Sequence, residues 1–473
     1  MCSMSGGARK LKRLMASSFG LCGMEAQWIE EAVAVSDYRG RRCYWTPFVM
    51  IMTFLRQILL GNCSCRSAVA GTLSAGLASD LSVGEVAGSS FKEPAFFGVS
   101  GDPSAYAQAR SRLPLAVFTA LHRRIASSIR RHIGGARQWC GRRVFIADGS
   151  TIIMPDNEEL QRAFPQPTDQ KPGCGFPMAR MTALFCWASG ALLELAVDNI
   201  RVHELTLLRR MFNVLKPGDV LLGDRLFCSY VDIALLRERG IDSVTRLHVS
   251  RCKDMRKGIY LGPCDRLVEW RRPTKRPRHL TPEEWATVPE TMTMRILRYR
   301  SEKPGFRSRE VNLATTLLDS DETSVEQLAG LYRDRWRAEL NLRTLKTTMS
   351  MSRLHTKSPD MVRKEVAMYV VGYNLIRWIM WQAAERHDVD PARLSHAGTL
   401  DRVMAMLPYL QALGGGRRGR ALYARLLAFI ASDRLPNRPG RIEPRRVKRR
   451  HNRYLNFWRP RSVYRKRIVG MAA

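Results

Sequence analysis

Three carboxylates stand out by context. Asp148 and Asp224 each close a short apolar, β-prone run, Val144-Phe145-Ile146-Ala147 and Val220-Leu221-Leu222-Gly223. In α/β sheets, ligands gather at the carboxyl ends of strands. An Asp there also makes an Asx-turn or caps the next element, so neither residue decides alone. The third acid, Glu339, belongs to a helical segment that opens at Thr323 and runs to about Lys346. At about 100° per residue, Tyr332, Arg335, Glu339 and Lys346 fall within about 60° on one face, with Trp336 beside them. A solvated face holds Arg, Glu and Lys readily, but it does not need a Tyr and a Trp in the same stripe. Glu339 and Lys346 are roughly 10 Å apart along the axis and cannot share one ion. The lysine then reaches a phosphate one or two nucleotides from the reacting bond. Asp148, Asp224 and Glu339 together make a hard, oxygen-rich site suited to Mg²⁺ or Mn²⁺ rather than zinc. Two such ions about 4 Å apart activate a water or a DNA 3′-hydroxyl and stabilise the leaving oxygen in phosphoryl transfer.

The elements that must position these residues follow from periodicity. Residues 1–135 are mostly helical, with apolar residues at helical spacing in Gln27–Val35, Phe48–Leu60 and Pro114–Arg131 and a Gly/Ser/Ala-rich stretch, Gly71–Gly101, between them. This segment holds no nucleophile or phosphate loop and reads as a DNA-contacting or regulatory domain. Across 136–247 the pattern becomes strand (Arg143–Ala147, stopping at Asp148-Gly149-Ser150), hairpin (Arg180–Trp187 and Ala191–Val197), helix (Leu205–Leu215), strand (Val220–Gly223), helix (Tyr230–Arg239) and strand (Asp242–Leu247). That order predicts a mixed α/β layer with an antiparallel hairpin feeding a parallel core. Residues 248–320 interrupt it as a β-rich insertion. It carries the basic, proline-broken loop Arg271–Arg278 and a hairpin of Thr291–Arg300 and Arg309–Leu317 turning at Lys303-Pro304-Gly305. Helix returns over 321–390. Thr323/Glu326 and Ser324/Gln327 both have capping-box spacing at its start, and a second apolar helix covers Val362–Ala383. Residues 391–473 form a helical and basic C-terminal region; its tail interleaves cations with Tyr454, Phe457, Trp458 and Tyr464, a pattern suited to phosphate contact plus base packing.

Composition narrows the partner. The 473 residues are 45% hydrophobic and 25% charged, which is ordinary for a globular chain of several domains, but Lys+Arg minus Asp+Glu is 77 − 43 = +34. A field of that sign favours a polyanion, and the excess is mostly arginine, whose planar fork matches phosphate. A GC-rich genome explains arginine over lysine; it does not explain the deficit of acids. The 11 cysteines are odd in number and form no Cys-x-x-Cys pair, which argues against a zinc ribbon and fits a reducing cytoplasm. The basic residues Arg9, Lys10, Lys12 and Arg13 are not followed by an apolar core and cleavage site, so no signal peptide is expected. The apolar run Trp45–Leu55 is too short to span a bilayer. Nucleic acid therefore leads over membrane as the partner.

The spacing Tyr332-x2-Arg335-x3-Glu339-x6-Lys346 resembles the Tyr-Arg-Glu-Lys signature of bacterial transposases of the insertion-sequence-four family. Asp148-Gly149-Ser150 and Gly223-Asp224-Arg225-x-Phe227 are similar to the segments around that family's two aspartates. The resemblance covers most of 1–390. It implies a cut-and-paste DDE enzyme (after its Asp-Asp-Glu triad) with an α/β, ribonuclease-H-like core, a helical N-terminal domain and a β-rich insertion between the second Asp and the Glu. It implies an enzyme of the bacterial cytoplasm, associated with the nucleoid, with Asp148, Asp224 and Glu339 holding two Mg²⁺ or Mn²⁺ ions. Its partners are double-stranded DNA, both the terminal inverted repeats of an element and a target, and a second copy of the chain in a synaptic complex. Cutting usually passes through a hairpin intermediate. Tyr332, Arg335 and Lys346 match positions that contact transferred-end phosphates, and Trp336 a position that accommodates a flipped base. A second aromatic on the insertion holds that base in relatives; Trp270, Trp285 and Phe306 are all candidates here. Three other readings compete: a catalytically silent DNA-binding protein derived from such an enzyme, a ribonuclease-H-like nuclease acting on other nucleic acid, and a basic RNA-binding scaffold. The intact acids argue against the first of these.

Overall fold

The computed structural model of the chain describes residues 26–36, 38, 44–81, 101–132, 137–248, 250–251, 254–278, 280–300, 310–436, 458–460, 462–464 and 466. The chain divides into two compact units, Met1–Ile133 with Leu342–Pro436 and Gly134–Asn341 with Asn437–Ala473.

The first unit opens with helices α1 (Ala26–Ala34), α2 (Pro47–Leu59), α3 (Cys65–Leu81), α4 (Ser104–Arg112) and α5 (Leu115–His132). The start of α2 is set by Thr46, whose hydroxyl accepts from the Val49 N–H at 3.3 Å, and by Pro47, whose fixed φ suits a first turn. Nearly every side chain of α2 is buried, from Phe48 to Leu59, as expected of a central helix. The Gly/Ser/Ala-rich stretch is helical as far as Leu81, since alanine favours helix; residues 82–100 lie outside the described residues.

The second unit is built on one nine-stranded sheet. Its strands are β1 (Val144–Ile153), β2 (Met178–Cys186), β3 (Leu192–Asn199), β4 (Val220–Gly223), β5 (Asp242–Arg246), β6 (Ile259–Gly262), β7 (Asp265–Arg271), β8 (Thr291–Arg300) and β9 (Glu310–Thr315). Among them lie helices α6 (Glu158–Ala163), α7 (Glu204–Arg209), α8 (Tyr230–Glu238) and α9 (Pro282–Thr287). The strand order is β3-β2-β1-β4-β5-β9-β8-β7-β6. The β1–β2 and β2–β3 pairs are antiparallel, whereas β1–β4 and β4–β5 are parallel, as the hairpin-plus-parallel-core expectation requires. All four residues of β4 are buried, the mark of a parallel strand covered on both faces.

The β-rich segment 248–320 joins the same sheet: β9 pairs antiparallel with β5, so its hairpins extend it. Its apolar face closes on α8, where Trp270, Met292, Met294 and Ile296 join Tyr230, Val231, Ile233 and Ala234 in one buried cluster. One local expectation is corrected. The first strand does not stop at Asp148. Pairing with β2 runs from Phe145–Cys186 through Ile153–Met178, and this ladder keeps the chain extended past Gly149. The turn at Lys303-Pro304-Gly305 lies outside the described residues, as do Phe306 and most of the basic tail, including Tyr454 and Phe457.

Helix α10 (Val325–Asp334) starts on a capping box in which Ser324 and Gln327 each bond the other's backbone N–H; of the two candidate boxes this is the one formed. Helix α11 (Trp336–Arg343) follows after a break at Arg335. The single helix expected to run to Lys346 is therefore corrected. At Arg335 the backbone N–H bonds the Tyr332 carbonyl, a tightened three-residue turn. Beyond Arg343, Thr344–Thr348 widens into a π-helical turn.

The first unit is completed by α12 (Pro359–Arg386), α13 (His396–Leu413) and α14 (Arg417–Ser432). Helix α12 carries the core of this unit and packs on α2, α5, α13 and α14. Its buried Glu365 is satisfied by Asn62 at 2.6 Å and by the Thr356 hydroxyl at 2.6 Å and N–H at 3.1 Å. His396 stacks on Tyr373, ring centroids 5.3 Å apart. Burial, with the Arg377 charge adding, holds its imidazole well below the ordinary value. The folded unit thus keeps His396 neutral, while the unfolded chain protonates it below about pH 6.5. Its contribution to stability is complete above that pH and lost as pH falls below it. Between pH 7.5 and 5.5 the His396→Phe variant should lose about 1.4 kcal/mol less stability than the parent, as read by urea unfolding at each pH. Equal losses would show that the ring is already charged in the fold.

Candidate active site

Strands β1 and β4 run in parallel and stay in register from Val144–Val220 to Ile146–Leu222. Asp224 follows the last residue of β4, and Asp148 lies two residues beyond Ile146, the last residue of β1 paired with β4. Both aspartates therefore sit at the same, carboxyl end of the parallel pair. Asp148 stays extended, paired with Ala183, and its Oδ1 accepts from the Gly149 N–H at 3.0 Å. Asp224 does form a cap: its Oδ1 accepts from the Leu226 N–H at 2.8 Å and closes the short 3₁₀ turn Arg225–Phe227. That turn folds Phe227 back onto Gly223, where a Cβ would meet the Phe227 ring. A glycine before Asp224 is what this fold-back demands.

The third acid arrives from α11. Glu339 Oε1 receives Arg335 Nη2 at 2.5 Å, one helical turn earlier, and the Arg335 guanidinium lies 6.0 Å from the Tyr332 ring centroid. The fields of these groups meet at Asp148. Burial pushes its carboxyl up to about 6; Arg335 and the Gly149 N–H pull it down, and Glu339 and Asp224 push it up again. Tyr332 is half-buried beside them, and burial raises its hydroxyl to about 12, so it is a neutral donor at physiological pH. Trp336 is the opposite case, with 56% of its surface exposed although it sits next to this pocket. Lys346 lies on the π-helical turn in the first unit, half-buried, and burial alone lowers its ammonium from the ordinary value.

The donor set is three carboxylates, the chemistry a hard divalent cation requires. Among the described residues no three acid, His or Cys side chains are already gathered to hold an ion. The positive charge at this spot is instead the Arg335 guanidinium on Glu339. By donor chemistry the three carboxylates fit a hard divalent cation.

Sequence reasoning missed two neighbours. Glu204, the first residue of α7, packs its carboxylate against Gly149 so closely that a Cβ there would run into it. By strand alternation it lies on the face of β1 opposite Asp148. Burial raises its carboxyl, Arg180 opposes this, and Asp224 adds to it. Nothing in the sequence marks it among 43 acids. The other is Trp187, which follows β2 and whose indole N–H bonds Asp334 at the end of α10. In the insertion, Trp270 is buried under the Arg251 guanidinium, 4.3 Å from the ring, and Trp285 packs against the same cluster with Arg272 over it at 4.6 Å. Tyr260, on β6 at the end of the strand order, has Arg266 over its ring at 4.3 Å and is 63% exposed.

The family model of the transposase DDE domain matches residues 139–375, which spans β1 through the first half of α12. The chain is 27% identical over 362 residues to transposase InsG for insertion sequence element IS4 of Escherichia coli (strain K12), covering 74% of this chain and 78% of that protein. It is 28% identical over 138 residues to putative transposase InsZ of the same strain, covering 29% of this chain and 46% of that protein. A cryo-EM structure of the piggyBac transposase synaptic complex with hairpin DNA aligns with a TM-score of 0.42 at 10% identity, over 91% of this chain and 85% of that one. The chain belongs to the family of transposases with a DDE domain. It is a DNA transposase. Among the described residues no helix is long and apolar enough to cross a membrane.

Proposed function

We propose that this transposase binds the terminal inverted repeats of an insertion sequence, cuts DNA at the element ends through hairpin intermediates, and joins the ends to target DNA. The observation that carries the reading is that Asp148, Asp224 and Glu339 share one electrostatic field at the carboxyl end of β1 and β4. The β3-β2-β1-β4-β5 order supports a ribonuclease-H-like core, interrupted over 248–320 and resumed over 321–390. Two Mg²⁺ or Mn²⁺ ions, when bound, supply Lewis-acid polarisation of the scissile phosphate and an activated water or 3′-hydroxyl. Asp148, Asp224 and Glu339 would hold these ions through their carboxylates. Arg335 leaves Glu339 for a transferred-end phosphate, which exchanges one anion for another around the same guanidinium. The neutral Tyr332 hydroxyl donates to the same strand, and the exposed Trp336 ring is free to pack an extruded base. Residues 1–135 contact DNA, and two copies act in one synaptic complex within the bacterial cytoplasm.

The test uses the purified chain, Mg²⁺ and a duplex carrying the inverted repeat that flanks its gene. Nicking, hairpin formation and strand joining are expected. Binding without cutting, in Mg²⁺ and in Mn²⁺, would leave only a silent DNA-binding protein, and cutting without joining would leave a nuclease. Lys346→Ala should weaken end binding and reduce the slope of log affinity against log salt by about one unit, as fits the loss of one phosphate contact. An unchanged slope would remove Lys346 from the DNA interface.

A further inference from the structure

The break between α10 and α11 is held from outside. Trp187 follows β2, and its backbone N–H bonds the Val144 carbonyl at 3.0 Å, which places it beside the first residue of β1. Its indole Nε1–H donates to Asp334 Oδ2 at 2.9 Å. Asp334 is the last residue of α10. The same Oδ2 receives Arg337 Nη2 at 3.1 Å, and the Arg337 guanidinium stands 5.4 Å from the Trp187 ring centroid. One carboxylate oxygen thus collects a donor from the sheet and a donor from the first turn of α11. Arg335, the residue at the break, and Glu339, one turn later, follow directly.

We infer that Trp187 and Asp334 are positioning residues for the reaction: their hydrogen bond pins the tight turn at Arg335 to the start of β1 and so sets the height and rotation of α11, which places Glu339 over Asp148. The inference rests on the reading of Glu339 as an ion-holding residue. The physical need is plain. Helix α11 is short, and the windings on either side of it are irregular, tight at Arg335 and wide from Thr344. A helix of two turns between two irregular turns has little intrinsic resistance to rotation about its axis. A charge-assisted bond to a strand supplies that resistance. Trp187 and Asp334 touch no reacting atom, so their effect must pass through Glu339.

Single-turnover cleavage of pre-bound end duplex tests this in the full chain. Trp187→Phe keeps the ring under Arg337 and removes the N–H. Its cleavage rate should fall about 10- to 100-fold, the usual result of displacing a reacting group by about 1 Å. End-duplex affinity should stay within twofold, while the Mg²⁺ concentration giving half-maximal rate rises severalfold. Asp334→Asn keeps an acceptor for the indole and should retain most of the parent rate; Asp334→Leu should match Trp187→Phe. If Trp187→Phe does not fold, the Asp334 pair gives the same comparison. A parent-like rate in Trp187→Phe or Asp334→Leu overturns the inference. So does equal damage in Asp334→Asn and Asp334→Leu, or a loss of rate that merely follows a loss of end binding. Glu339→Ala run alongside separates the two readings: if it still cuts, the ion-site assignment fails; if it is dead while Trp187→Phe is normal, only the clamp fails.

Discussion

Replacing Asp148, Asp224 or Glu339 by alanine is expected to remove strand cleavage, by about 1000-fold or more, while binding of end DNA stays within a few-fold of the parent. A thousandfold is about 4 kcal/mol of transition-state stabilisation, a plausible share for a group that holds the ions in place. On the proposed reading the three acids act as one unit, so a double variant should be no slower than the slowest single one. Gel-shift affinity and cleavage rate on the same duplex provide the measurement. The ion-free protein gives an independent sign. Asp148 is half-buried with Glu339 and Asp224 as like charges nearby, so its ionised form is disfavoured in the fold. Asp148→Asn should therefore be inactive yet more stable, by about 1 kcal/mol, in chelator without DNA. A residue kept for architecture gives the reverse, loss of stability on substitution. Cleavage surviving any one of the three changes would end the assignment of that residue.

How far the sequence reveals this site depends on which interactions are local. The two aspartates were legible because β1 and β4 are apolar runs with an acid directly after them, and parallel strands put both acids at one end. The extension of β1 beyond Asp148 was not, because it depends on β2, paired across a connection of more than twenty residues. The Ser324–Gln327 box was legible as one of two options; the choice between them is made by Thr323, whose hydroxyl is already bonded to the Asp319 carbonyl at 3.0 Å and to Arg295 at 3.2 Å. The Tyr332–Arg335–Glu339 stripe survives the break at Arg335 because the tightened turn costs only a fraction of a residue of rotation. Its extension to Lys346 does not survive as a uniform α-helix, since the wider π turn advances less rotation per residue and no local residue announces it. The insertion was visible as strands but not as part of the same sheet, because the β5–β9 pairing joins residues about seventy apart. Its aromatics illustrate the same limit. Trp270 and Trp285 look like binding residues in one dimension and are packed into the cluster beside α8 in three.

Arg295→Met is expected to lower stability by about 3–5 kcal/mol, the range for breaking a buried ion pair from one side. Arg295 on β8 is fully buried, and its partner Asp265 on β7 is 2% exposed. The guanidinium donates through Nε at 2.9 Å and Nη2 at 2.6 Å to the two Asp265 oxygens. Its Nη1 donates to the carbonyls of Asp319 at 3.1 Å and Thr323 at 2.7 Å. Those carbonyls belong to the turn that launches α10, so this one side chain ties the insertion strands to the helix leading toward Glu339. Methionine fills the volume but strands a carboxylate in the core, and the carboxylate then dominates the cost. Removing both charges, in Arg295→Met with Asp265→Leu, should recover much of the loss, since apolar pairs of like volume often match a buried ion pair. The Asp319 carbonyl keeps the Thr323 hydroxyl as a donor, but the Thr323 carbonyl loses Arg295, so recovery should stop about 1–3 kcal/mol short of the parent. The thermal midpoint of the first unfolding transition is the readout, with about 10 °C expected for the single change in a unit of this size. The turn also bears on cleavage: a loosened start to α10 should slow the double variant although most of its stability has returned. Should Arg295→Met melt within a degree or two of the parent, the guanidinium would not be holding this turn, and the route from insertion to Glu339 would have to run elsewhere.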